Sequence, residues 1–116
     1  MRALSIAVVF LLAAGQSALA QISASIEHPQ CYENVGCPHK DRITDAQAKE
    51  LSCQNLSFVR NTIFHQRGYC FQTARERAEF DNKNCTINAV SDLKLSPVEK
   101  ANVATLVRVE RRKKCK

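Results

Sequence analysis

Six cysteines, Cys31, Cys37, Cys53, Cys70, Cys85 and Cys115, carry the most reactive chemistry in this 116-residue chain. A thiol can serve as nucleophile, metal ligand or half of a disulfide, and spacing discriminates among these. Cys31, Cys37 and His39, with His28 nearby, offer zinc donors, but their spacing matches no zinc pattern. His65 stands without a nucleophile or an orienting partner, so no Ser/His/Asp or Cys/His constellation can be traced. An even cysteine count in a short chain reads instead as a disulfide framework, the chemistry of an oxidising compartment. Bridged cysteines leave no thiolate for catalysis. The expectation is no metal, no cofactor and no enzymatic activity.

Charge is the second chemistry. The formal net charge is +6, and the excess crowds the C-terminus, where Arg108, Arg111, Arg112, Lys113, Lys114 and Lys116 face one acid, Glu110. Such a cluster attracts anionic surfaces. Outside the cytoplasm these are cell-wall polymers, lipopolysaccharide or acidic lipid; nucleic acid is not expected there. The alternative is a solvated helix end made basic to suit the helix dipole. Arg60 and Asn61 offer a guanidinium fork and an amide that suit a carboxylate or a sugar. Their structural alternative pairs Arg60 with Glu99 or Glu110 and leaves Asn61 to bond loop backbone. His65 and Arg67, at the end of the same segment, complete the candidate binding set of Arg60, Asn61, His65, Arg67, Arg111, Arg112, Lys113 and Lys114.

The elements that must position these groups can be read in order. Met1-Arg2, an uncharged run from Ala3 to Ala14, and Ala18-Leu19-Ala20 have the layout of a signal peptide. The run is well short of the roughly 20 apolar residues that span a bilayer. Residues 1–20 are therefore expected to be removed, leaving a secreted or periplasmic chain with no transmembrane segment. Gln21 stands where a lipid-anchored form would carry Cys. Residues 21–43 read as an irregular segment with a loop between Cys31 and Cys37, broken by Gly36 and Pro38.

Residues 44–116 read as the helical domain. Thr44-Asp45-Ala46-Gln47 opens a short helix to about Leu51. Ser52 caps a long one over Cys53–Arg67, with Leu56, Val59 and Ile63 on one stripe and Gly68 as its stop. Thr73-Ala74-Arg75-Glu76 is a capping box for a short helix to about Phe80. Ser96-Pro97-Val98-Glu99 is the best of the starts, with Pro at N1 and Glu at N3. It opens a helix to Lys113 presenting Val103, Leu106 and Val107 inward, with Val98 and Val109 at the edges. Ile87, Val90, Leu93 and Leu95 are expected to dip into the core from a loop. The fold class is all-α: a small disulfide-rich helical domain with long loops, two longer helices and two short ones.

Pairing among six cysteines cannot be derived from sequence. Proximity favours Cys31–Cys37 across a short loop and Cys70–Cys85 bracketing the third helix. Cys53–Cys115 follows if the two long helices pack antiparallel.

The run Cys53-Gln54-Asn55-Leu56-Ser57-Phe58-Val59-Arg60-Asn61-Thr62-Ile63-Phe64, followed by Gly68-Tyr69-Cys70-Phe71-Gln72-Thr73-Ala74-Arg75, resembles the bacterial YARHG domain. The likeness extends to Asn84-Cys85 and to the last helix, from Leu95 through Arg112, and covers roughly residues 52–115. It looks closest to short alphaproteobacterial versions with a Gly-Tyr-Cys-Phe exit and a terminal Cys. The five residues that name the family are represented by Phe64-His65-Gln66-Arg67-Gly68, of which only the Gly is kept outright. The resemblance implies a fold and an extracytoplasmic compartment. The function expected from all of this is an exported, non-enzymatic binding module for an anionic envelope component. The alternatives are a secreted cationic effector acting on membranes and a small envelope hydrolase.

Overall fold

The computed structural model describes residues 30–116. The expected signal peptide, residues 1–20, and the start of the segment after it lie outside the described residues. Among the described residues there are four α-helices, α1 (Asp45–Lys49), α2 (Cys53–Gln66), α3 (Ala74–Glu79) and α4 (Pro97–Arg112), with a 3-10 turn at Val90–Asp92. The architecture is all-α, two longer helices and two short ones joined by long loops, with no strand among the described residues.

Each helix starts at a hydroxyl that can accept a first-turn N–H. Thr44 Oγ1 accepts from the N–H of Gln47, and the Gln47 side chain accepts in return from the Thr44 N–H. Ser96 and Glu99 make the same reciprocal pair with Pro97 in the first turn. Ser52 accepts from the Asn55 N–H. At α3, Thr73 accepts from the Glu76 N–H, but Glu76 does not reach back, so the box expected there is half made. Helix α2 stops at Gly68, whose φ of 86° favours a residue without Cβ. The Gly68 N–H donates to His65 O and the Tyr69 N–H to Phe64 O, both at 3.1 Å, a Schellman closure that satisfies the last carbonyls.

Helices α2 and α4 pack on each other, and α1 lies against α4. Leu56, Val59 and Ile63 of α2 meet Leu106 and Val109 of α4, with Ala48, Leu51, Ile43 and Val35 closing the cluster. A second cluster gathers Phe64, Phe71, Phe80 and Leu93, with Phe58, Tyr69 and Ile87 packed against it. Rings follow one another from Tyr32 to Phe58 (6.0 Å), Phe80 (5.1 Å), Phe71 (5.0 Å) and Tyr69 (5.0 Å). Three disulfides staple these parts, Cys31–Cys37, Cys53–Cys115 and Cys70–Cys85, the pairs that proximity favours.

Two expectations about burial need correcting. Val90 does not enter the core: it is 42% exposed, because the 3-10 turn gives the inner position to Leu93. The inward face of α4 is also rotated. Its fully buried residues are Glu99, Asn102, Leu106 and Val109; Val103 is partly covered and packs against both clusters as expected, whereas Val107 is partly covered and joins neither. The cause is Asn102. Its Oδ1 accepts from the Ile43 N–H, and its Nδ2 donates to Pro38 O and Asp41 O, each at 2.8 Å. One buried amide thus satisfies three backbone groups of the loop before α1, which an apolar residue there would leave unpaired.

Candidate functional site

The side chains singled out from the sequence fall at the middle of α2 (Arg60, Asn61), at its C-terminal end (His65, Arg67) and near its N-terminal end, where the basic tail is bridged to Cys53. Along that helix, Arg60 reaches Glu110 of α4, with Nη2 donating to Oε2 at 3.2 Å. Its Nε lies 2.9 Å from Glu110 Oε1, off-line for a hydrogen bond, so that approach is a charge contact. Asn61 is buried, 5% exposed, with no side-chain hydrogen bond to loop backbone among the described residues. His65 packs against Phe80 and Phe71, and its Nε2 sits 3.9 Å from Asp81 Oδ2.

Arg67 makes three hydrogen bonds to one carboxylate. Its Nε donates to both oxygens of Glu99 (2.9 and 3.1 Å), and its Nη2 to Oε1 (2.5 Å). The Glu99 side chain is 1% exposed and Arg67 41% exposed. Burial pushes the Glu99 carboxyl up, but hydrogen bonds from Arg67 and from Ser96 outweigh it and hold the group below the usual carboxylate range. Beside this pair lies a shallow groove of about 490 Å³, lined by Gln66, Arg67, Gly68, Thr86, Ile87, Asp92 and Lys94. Of these only Arg67 belongs to the binding set read from the sequence; Gly68 and Ile87 stand out there as a helix stop and a core residue. Gln66 ends α2, and the rest come from two loops that no motif connects.

At the opposite end of α2 the basic C-terminus divides into two sets. Arg108 Nη2 (2.6 Å) and Arg112 Nη1 (3.1 Å) both bind the Asp45 carboxylate of α1. Arg108 holds that carboxyl below its ordinary range, with Arg112 adding in the same direction. Lys113 Nζ donates to Lys49 O and Leu51 O, taking up carbonyls at the end of α1. Arg111, Lys114 and Lys116 are exposed and have no acidic partner among the described residues.

Lys114 closes α4. Its N–H donates to Arg111 O and that of Cys115 to Glu110 O, a second Schellman turn, with Lys114 rather than glycine at φ 55°. A Cβ is disfavoured there by roughly 1 kcal/mol. Lys114→Gly is therefore expected to raise stability by up to about 1 kcal/mol in urea titration. Among the described residues no group of three His, Cys, Asp or Glu side chains converges as a metal site, and no cysteine is free.

The YARHG domain model matches residues 38–111, and the chain belongs to that family. The match begins at Pro38, whose carbonyl Asn102 holds, ahead of the stretch from residue 52 that carried the resemblance. No curated protein and no solved structure matches the chain. The YARHG domain is extracytoplasmic, and three disulfides suit an oxidising compartment.

Proposed function

We propose that this protein is an exported, non-enzymatic binding module whose cationic end seats on an anionic component of the cell envelope. The observation that carries the reading is the division of the basic tail. Arg108, Arg112 and Lys113 are consumed in fixing α1 to α4. Arg111, Lys114 and Lys116 have no acidic partners among the described residues and stand beside the Cys53–Cys115 bridge, which ties this end of the chain to α2. Cations anchored in this way lose less freedom on binding than cations on a loose tail. The basis is electrostatic, and the gain per charge near an anionic surface is about 1 kcal/mol.

The membrane-lytic alternative draws little support from α4, whose inward stripe contains Glu99 and Asn102, both fully buried and bonded to neighbouring elements. The test is co-sedimentation of the oxidised protein with isolated cell wall and with lipopolysaccharide, at low and high salt. Arg111→Gln, Lys114→Gln and Lys116→Gln are combined in one variant, and Lys113 is left intact because it caps α1. Binding by the parent that disappears at high salt, and at least tenfold weaker binding by the variant, are the expected results. Equal sedimentation of parent and variant would remove the proposal.

A further inference from the structure

We propose that the groove at the C-terminal end of α2 binds a small zwitterion, an amino acid or short peptide, with its carboxylate between Arg67 and Lys94 and its ammonium toward Asp92. The inference does not rest on the cationic end, which lies at the other terminus of the same helix. Its first support is a preorganised donor. Glu99 fixes the Arg67 guanidinium through Nε and Nη2, leaving Nη1 without a partner among the described residues, on a side chain 41% exposed. A guanidinium already held in one plane has little rotamer freedom left to lose when a carboxylate arrives.

The second support is the charge pattern of the walls. Lys94 and the Asp92 carboxylate make no ion pair with any described residue, although both line the groove. Glu99 cancels the formal charge of Arg67, and Asp92 balances Lys94, so the groove is neutral in sum while its walls carry separate signs. A simple anion such as phosphate meets an uncompensated carboxylate there. A ligand carrying both charges satisfies both walls. Gln66 and Thr86 add amide and hydroxyl groups, Gly68 brings backbone close, and Ile87 supplies the apolar contact. The volume of about 490 Å³ suits a ligand of dipeptide size.

The experiment titrates the oxidised protein with alanyl-alanine, following backbone amide shifts by NMR. Three further arms use the N-acetylated dipeptide, the dipeptide amide and inorganic phosphate. Saturable shifts at Gly68, Thr86, Ile87 and Lys94 with the zwitterion, and weaker binding in every other arm, are the expected pattern. Lys94→Ala and Asp92→Asn, both at exposed positions, should each weaken binding about fivefold while leaving the thermal midpoint in place. The absence of saturable shifts at tens of millimolar dipeptide would overturn the proposal. So would equal affinity for a ligand lacking either charge, or parental affinity in both variants. The variant that tests the cationic end keeps every groove residue, so the two readings fail separately.

Discussion

Arg67→Met is expected to destabilise the protein by about 3 kcal/mol, read as a shift of the urea midpoint. The figure is the lower end of what breaking a buried ion pair costs, because Arg67 is itself partly exposed and water can replace some of its contacts. What remains is the Glu99 carboxylate, fully buried, with only the Ser96 cap as a donor. The double variant Arg67→Met, Glu99→Gln should recover much of the loss, since a neutral amide can still accept from the Ser96 N–H. The same pair sets the response to acid. The folded carboxyl of Glu99 lies below its ordinary value of 4.5, so its contribution is complete above that pH and disappears as pH falls through the folded value. Asp45 acts in the same direction. Glu99→Gln should flatten the acid limb of the stability curve, and an unchanged limb would show that the pair does not govern it.

Cys53→Ser with Cys115→Ser is the other large effect. A crosslink between cysteines 62 residues apart restricts the unfolded chain by about 4 kcal/mol. The pair Cys70 and Cys85, 15 apart, closes a smaller loop and should cost about 3 kcal/mol. Total stabilities of small domains start near 5 kcal/mol, so the first variant should be close to unfolded at room temperature by circular dichroism. Release of the C-terminus also loosens Lys113 from the carbonyls of α1, which adds to the loss. Parental urea midpoints in both variants would refute the stapling argument.

What could be read in the sequence was local. Ser96-Pro97-Val98-Glu99 specifies a helix start within four residues, and Gly68 specifies a stop by its own missing side chain; both are where the structure has them. What could not be read depends on partners far along the chain. Asn102 bonds Ile43 across a separation of 59, and Glu99 meets Arg67 across 32. Apolar periodicity therefore favoured Val103 and Val107 over the polar residues that face inward. Arg60 was an intermediate case: α4 offered it two acids, and the structure pairs it with Glu110. The basic tail was visible as a count of charges, but its division required knowing that Asp45 lies beneath Arg108 and Arg112. The groove has no signature at all, since Arg67 and Lys94 become neighbours only after α3 and its disulfide fold the chain back.

The bridge from Cys53 to Cys115 encloses the one from Cys70 to Cys85. A polypeptide made from its N-terminus offers Cys70 to Cys53 before Cys115 exists, so a non-native mate is within reach before the native one. Any Cys53–Cys70 bridge formed early has to be undone by thiol exchange, on a timescale of seconds to hours without help. Mispaired isomers in material oxidised without a shuffling catalyst are expected to convert to the native set in a redox buffer.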